Sequence, residues 1–533
     1  MKPQIQRISQ ISSDQSVICI IVGDQIPERL NLNSQEKDFA QTQIRAKEEY
    51  VSLNSYNRSV YIVRLKDTII HYRVREELRR TAYNLRKLIK DNNHDDLVIT
   101  SENAYKGAIE DFTEGLLLSF YSFDKYKTKT NLEEKKHYPA NLLLQGEFDD
   151  SEIKWIVDVT DAVYFTRNLI KEPVNQLNAT DLSQEIKKIG DSAGFSVEIL
   201  TKGKIEALKM GGLLAVNKGS IDPPVFSILE WKPANHRNDK PIVLIGKGIV
   251  YDTGGLNIKT GDFMAGMNGD MAGAAIVAGV MHTISKNNIP LHVIGLIPST
   301  DNRPGGNAYT QGDIITMFNN MTVEIGNTDA EGRLILADAI SYASKYAPEL
   351  IIDIATLTGS AAMTFGNQAI AVMTNAERKY FSMLEECGND VYERIAELPL
   401  WEEYGELLKS DIADFKNVGG REAGAIIAGK FLESKGYEII ARNYRFERAE
   451  ADIVALDRVK KVLVFAEVKT RRNKNFGEPE ESVSEAKQMQ IIKAAEGFMM
   501  EVNPYDEYEK RFDVVAIYIE HGETTINHIE NAF

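Results

Sequence analysis

Residues 327–334 read NTDAEGRL. Asp329 and Glu331 stand one residue apart, Arg333 follows, and an apolar run begins directly after. Two chemistries suit that arrangement. Acids favour the positive end of a helix dipole, or they are oxygen ligands for a divalent ion. Two neighbouring segments carry side chains of the same kind. GKGIVYDTGGLNIK (246–259) holds Lys247, Asp252 and Lys259, and its paired glycines permit a tight turn. MNGDMAGAA (267–275) holds Asp270 at the start of a small-residue helix. Alone, Asp270 reads as a helix N-cap and the lysines as surface residues. As a set, the acids lie in loops that follow strands, and open α/β sheets bind ligands outside the carboxyl ends of their strands. Four converging carboxylates repel one another unless cations neutralise them, and two divalent ions do so. Oxygen ligands with a lysine amine suit Mn²⁺, Mg²⁺ or Zn²⁺. His282 and His292 are the nearest histidines, and neither belongs to an HxxxH pattern.

The elements that must position these residues are legible in outline. SVICIIVG (16–23), SVYIVRL (59–65) and DLVIT (96–100) read as strands, and 72–92 as a helix. VFSILEW, PIVLIG, LHVIGLIP and LIIDIA follow as buried strands with helices between them. RLILADAISYASKYA, after NTDAEG, has the apolar spacing of a helix with one buried face. Near residue 420 the pattern changes to a helix, then EADIVALD, KVLVFAEVKT and RFDVVAIYIE as a small sheet with charged strand ends. The expected fold class is α/β in three parts. These are an N-terminal α/β domain (1–150), a larger α/β domain with a central mixed sheet (151–424), and a small C-terminal α/β domain (425–533).

Composition sets the outer bounds. The chain has 533 residues, 43% hydrophobic and 26% charged, as in an ordinary soluble globular protein. A net charge of −16 argues against wholesale binding to nucleic acid or anionic membrane, though not against a local basic patch. Cys19 and Cys387 are the only cysteines, which excludes a disulfide framework and a thiolate zinc site. The N-terminus lacks a signal-peptide core, and no apolar run is long enough to span a bilayer. These features predict a cytoplasmic protein with no membrane partner.

NTDAEGRL, GKGxxxDxGGxxxK and GDMAGAA, in that spacing, resemble the leucyl aminopeptidase (cytosol aminopeptidase) family. Weaker likeness runs through RNLIKEPVN (167–175), DIATLTGS (353–360) and LPLWEEYGELLKSDIADFKNVGG (398–420). The resemblance covers most of residues 1–425 and implies a two-metal exopeptidase acting on peptides. Lys247, Asp252, Asp270, Asp329 and Glu331 would be the ligands of two Mn or Zn ions. Lys259 and Arg333 would be the catalytic pair, with Arg333 holding a bicarbonate that relays a proton. Met267, Thr356 and Gly359 match positions lining the family's side-chain pocket, and the family's homo-hexamer becomes an expectation here. The family's further helix and PWxHxDIAG-like segment do not occur after residue 420. Their loss is expected to leave apolar surface uncovered and part of the pocket open.

The last hundred residues hold a second constellation. Asp452 in EAD precedes Glu467 and Lys469 in AEVKTR, the minimal arrangement of the PD-(D/E)xK nucleases, where two acids bind Mg²⁺. KFLESKGYEIIARNYR, LVFAEVKTRRNKNFGEPEESV, Lys487, RFDVVAI and INHIENAF together resemble the YraN-type family, which has a nuclease-like fold. Arg458, Lys460, Lys461, Lys469, Arg471, Arg472 and Lys474 form a local basic cluster able to contact nucleic-acid phosphates, or a solvated face. That family's opening GExxA helix has Ala425 where its glutamate belongs. The chain crosses from one family pattern to the other inside one Ala-rich helix, which implies a join of two genes. The reading favoured is a metal-dependent aminopeptidase with an appended nuclease-like domain. Against it stand a nucleic-acid-binding protein with an impaired peptidase half, and a chimera that folds poorly.

Overall fold

The computed structural model describes residues 2–55, 58–65, 72–128, 138–400, 405, 407–419, 438–446, 449–457, 461–471, 485–501, 508–520, 523–530 and 532. By packing, the chain forms two compact units. One is Met1–Leu357 with Ser382–Glu393, the other Thr358–Phe381 with Arg394–Phe533.

The first unit opens with a six-stranded sheet. Its strands are β1 (Gln4–Arg7), β2 (Val17–Val22), β3 (Tyr50–Ser55), β4 (Arg58–Leu65), β5 (Asp96–Glu102) and β6 (Asn141–Gln145), in the order β1-β6-β5-β2-β4-β3. All pairs are parallel except β3 with β4. Helices α1 (Ser34–Arg45), α2 (Tyr72–Asp91) and α3 (Ala108–Ser119) accompany it. Helix α2 buries Val74, Leu78, Ala82, Leu85 and Ile89, a spacing of three and four that puts them on one stripe. The strands and helix expected from the sequence are found to within a residue or two.

Helices α4 (Asp150–Lys171) and α5 (Ala179–Ala193) lead into the second sheet. Each begins with a capping box, on Asp149 and on Asn178. Strands β7 (Ser196–Leu200), β8 (Val225–Trp231), β9 (Ile242–Gly246), β10 (Gly248–Asp252) and β11 (Val293–Asn302) follow, with α6 (Lys202–Ala207), α7 (Gly211–Asn217) and α8 (Ala272–Lys286) among them. Helix α9 (Gly332–Ala343) and strand β14 (Leu350–Ile354) complete it, while short strands β12 (Ile314–Thr316) and β13 (Thr322–Glu324) pair antiparallel outside this sheet. The order is β14-β9-β11-β8-β7, with β10 also on β11. Strands β14, β9, β11 and β10 run parallel, whereas β8 and β7 join antiparallel. The sheet is mixed, as expected, with a parallel middle.

Side chains of β9 alternate between two cores. Val243 and Ile245 pack with Leu213 and Val216 of α7 and Leu334, Ile335 and Ala339 of α9. Leu244 packs on the other side with Leu182 and Ile186 of α5 and Ala274, Ala278 and Met281 of α8. Strand β11, VIGLIPSTDN, is buried along all ten residues. Buried Asp338 on α9 accepts the backbone N–H groups of Leu213 (3.0 Å) and Phe318 (2.9 Å).

The second unit contains α10 (Gly359–Phe365) and a parallel pair, β15 (Ile370–Val372) with β16 (Ile395–Glu397). Helix α11 (Arg378–Asp390) belongs mostly to the first unit, and strand β17 (Phe415–Lys416) precedes the C-terminal sheet. That sheet is β18 (Glu438–Phe446), β19 (Ala449–Asp457), β20 (Val462–Arg471), β21 (Glu509–Glu520) and β22 (Glu523–Ile529), in sequence order. Only β20 and β21 pair in parallel. Helix α12 (Glu485–Glu501) sets Ile491, Ala494, Ala495 and Phe498 against Leu463, Phe465 and Val514. The segment 420–437, with Ala425 and the expected crossover helix, lies outside the described residues, as do Arg458, Lys460, Arg472 and Lys474. Among the described residues no helix is long and apolar enough to cross a membrane.

Candidate metal centre

The parallel strands converge on one edge. Lys247 directly follows β9, Asp252 ends β10, Asn302 ends β11, and Thr356 lies two residues past β14. This is the carboxyl end of the sheet, the place the strand-to-loop pattern predicts. Asp270 enters on the turn before α8, and Asp329 and Glu331 on the turn before α9.

In neither turn does an acid side chain cap the helix by a hydrogen bond. The N-cap of α8 is Met271 and that of α9 is Glu331, and neither side chain accepts a capping hydrogen bond. The carboxylates instead meet one another. Asp252, Asp329 and Glu331 each bring an oxygen within 4.8 Å of the others. Lys247 Nζ lies 2.8 Å from Asp270 Oδ2 and 2.9 Å from Glu331 Oε1. Lys259 Nζ lies 2.8 Å from Asp252 Oδ2 and also contacts Asp329 Oδ1. Thr356 Oγ1 donates to Asp270 Oδ1 at 2.6 Å, and Lys247 Nζ donates to the Thr356 carbonyl at 3.1 Å. Gly332 leaves room beside this cluster, since a Cβ there would stand 2.7 Å from the Lys247 side chain and push it aside.

The electrostatics are those of a site short of positive charge. Lys247, Asp252 and Glu331 are each 2% exposed and Asp270 is 6% exposed. Burial pushes the Glu331 carboxyl up to about 7, with Asp252 and Asp270 adding repulsion that Lys247 only partly offsets. Burial likewise pushes Asp270 up to about 6 against the pull of Lys247. Asp329 is raised by the same desolvation. Burial opposes the charge on both lysines, but their carboxylate neighbours outweigh it, and both are raised. One lysine serves two acids, so each lysine gains more than either acid does. Two ammonium groups face four carboxylates, an excess of two negative charges in a buried place. Glu331 Oε2 is buried with no hydrogen-bond donor among the described residues. A buried, undersupplied carboxylate oxygen is costly unless a cation meets it. The donor set fits hard divalent ions.

Other expected residues fall less tightly. Arg333 is exposed on the first turn of α9. Met267 is half-buried in the turn before Asp270. Gly359 belongs to the second unit, at the start of α10. His292 is occupied by Glu230, at 2.9 Å, away from the acids. In the C-terminal sheet, β19 and β20 pair antiparallel with Ile453 opposite Ala466, which sets Asp452 and Glu467 on adjacent strands. Asp452 Oδ2 accepts the Val468 N–H at 2.8 Å, and Glu467, 3% exposed, lies 3.2 Å from Lys487 Nζ. The Lys469 and Arg471 side chains lie outside the described residues.

Sequence reasoning missed Asn302. Its Nδ2 donates to Asp252 Oδ1 at 2.9 Å and to the Thr328 carbonyl at 3.0 Å. The available signal was its place at the carboxyl end of a fully buried strand.

Family comparison decides what this cluster belongs to. Residues 164–453, more than half of the chain, match the model of the cytosol aminopeptidase family, catalytic domain. The chain belongs to the cytosol aminopeptidase family. Residues 425–517 match a second model, uncharacterised protein family UPF0102, so 425–453 fit both patterns. Curated relatives carry the name probable cytosol aminopeptidase. That of Chloroherpeton thalassium is 41% identical over 341 residues, covering 61% of this chain and 66% of that protein. That of Chlorobaculum tepidum is 45% identical over 332 residues, covering 60% and 65%. That of Geotalea uraniireducens is 44% identical over 328 residues, again covering 60% and 65%. The chain thus spans just under two thirds of the length of these family members. Among solved structures, the bottromycin maturation enzyme BotP in complex with Mn is similar, with a TM-score of 0.67 and 25% identity over 79% of this chain and 90% of that one.

Proposed function

We propose that this chain is a two-metal aminopeptidase that removes N-terminal residues of leucine type from peptides. The observation that carries the reading is the buried excess of carboxylate over ammonium at the ends of β9 and β10. Lys247, Asp252, Asp270, Asp329 and Glu331 would hold two divalent ions, Mn or Zn. Bound there, the ions supply Lewis-acid polarisation and lower the pKa of a water to make hydroxide near neutral pH. The chain's own groups do the rest. Lys259, half-buried and cationic, would donate to the oxyanion that develops on the scissile carbonyl. Arg333 would hold a bicarbonate in the proton-relay role. Met267, Thr356 and Gly359 would line the side-chain pocket. The cytoplasm suits a chain with two free cysteines, and a homo-hexamer is the assembly proposed.

The test compares leucine amide with N-acetyl-leucine amide on Mn²⁺- or Zn²⁺-loaded protein. Hydrolysis of the first, its loss with chelator, and silence on the second support an aminopeptidase. Equal hydrolysis of both sinks the N-terminal selectivity.

A second reading concerns residues 425–533, proposed as a nuclease-like domain following an N-terminal domain (1–150) and a catalytic domain (151–424). Buried Glu467 beside Lys487, with Asp452 on the next strand, favours it. Asp452, Glu467 and Lys469 would bind Mg²⁺, and the nearby lysines and arginines would contact nucleic acid. Mg²⁺-dependent retention of DNA that persists in Glu467→Ala would argue against that site.

A further inference from the structure

We propose that Asn302 is a positioning residue for the metal centre. Its amide selects which oxygen of Asp252 faces the site and ties that ligand to the loop carrying Asp329. The inference rests on the two-metal reading and adds to it a residue outside the ligand set.

Asn302 is fully buried at the end of β11, in register with Asp252 on β10. A carboxamide nitrogen has two hydrogens, and both are used. One goes to Asp252 Oδ1 (2.9 Å) and the other to the Thr328 carbonyl (3.0 Å). Asp252 Oδ1 also takes the Gly254 N–H at 2.9 Å. That oxygen is therefore held by two neutral donors, and Oδ2 is left facing Lys259 and the acid cluster. The reverse orientation would set the amide oxygen against two acceptors, so the contacts fix the orientation.

The other end of the amide is equally confined. Gly255 has φ +63°, and a Cβ there would stand 2.8 Å from Asn302 Oδ1 and 3.0 Å from Thr328 Oγ1. The Tyr309 hydroxyl donates to the same Thr328 carbonyl at 2.7 Å. Thr328 and Asn257 exchange hydrogen bonds, Asn257 N–H to Thr328 Oγ1 and Thr328 N–H to Asn257 Oδ1, each at 2.8 Å. Asn302 thus links two ligand-bearing loops that lie far apart in sequence. No other side chain of that size can do this. Aspartate would add a fifth anion, serine has one hydrogen for two acceptors, and leucine has none.

The experiment is a calorimetric titration of the full chain with Mn²⁺ alone, alongside melting of the metal-free protein. Asn302→Ala should weaken Mn²⁺ binding by about 10- to 100-fold, the range for loss of a partner that orients a ligand. Asn302→Asp should weaken it further, and Asn302→Ser, which keeps one donor, should fall between wild type and alanine. Affinity of the alanine variant within about twofold of wild type overturns the inference. So does a purely structural result, in which metal-free melting falls while the folded fraction binds Mn²⁺ normally. If the unsubstituted chain binds no Mn²⁺, the two-metal reading fails and takes this inference with it.

Discussion

The turns around β9–β11 and the stretch from residue 344 to 448 differ in kind. The first is cross-braced. Strand β11 is buried end to end, and Lys247, Asn302 and Thr328 each tie together segments remote in sequence. In the second, Phe381 is the one buried apolar side chain among the described residues. Ile370, Met383, Leu400 and Ile412 there are each more than half exposed. Strand β14, at the edge of the central sheet, is only half-buried. The difference teaches that a closely braced site can stand beside a stretch of chain with little core of its own. The ligand turns are held by β9–β11, α8 and α9 together with Thr356 just past β14, whereas the described residues beyond Thr356 leave much of their apolar surface exposed. Exposed apolar surface of this kind favours association or aggregation.

Substitution can break this contrast at its strongest point. Asp329→Ala removes a carboxylate from the acid cluster, and hydrolysis of leucine amide should fall by about three orders of magnitude or more, since metal activation contributes several kcal/mol. Steady-state kinetics with saturating Mn²⁺ measures it. A residual rate above a tenth of wild type would show that the cluster is not the reacting centre.

Core truncation comes next. Ile335→Ala, in the core between β9 and α9, should cost about 2–5 kcal/mol in denaturant unfolding. Met383→Glu and Ile412→Glu, in the uncovered stretch, should change stability by about 0.5 kcal/mol or less and reduce self-association in sedimentation. Equal costs in both regions would erase the distinction.

A smaller effect concerns pH. Burial pushes Asp338 up to about 6 from its ordinary value of 3.8. A folded-state pKa above the unfolded one means that the folded chain binds the extra proton. The contribution is therefore fully present below about pH 3.8 and is lost as pH rises through 6. Two units correspond to about 3 kcal/mol. Metal-free wild type should lose that much stability between pH 4 and 7 relative to Asp338→Asn. Parallel pH–stability curves for the two proteins would contradict the assignment.

The ligand turns were legible because residue types that bind metal sit in short, closely spaced segments. The dipole reading of Asp329 and Glu331, and the capping reading of Asp270, needed side-chain directions to settle. Those directions come from Lys247 and Thr356, far off in the chain. Asn302 was hidden for the same reason. STDNRPGG reads as a strand end and turn, and its partners Asp252 and Thr328 become neighbours only when β10 pairs with β11 and α9 packs beneath. Which strands of the mixed sheet join antiparallel, β7 and β8, was likewise invisible, because buried strands of either sense are similar apolar runs.

The central claim is that the acid cluster is a paired metal site. Electron paramagnetic resonance of the full chain loaded with two equivalents of Mn²⁺ tests it most directly. Ions held about 3.5–4 Å apart should give a spin-coupled spectrum that collapses in Glu331→Ala. A spectrum of isolated Mn²⁺ ions in the wild type, unchanged by that substitution, would contradict the account.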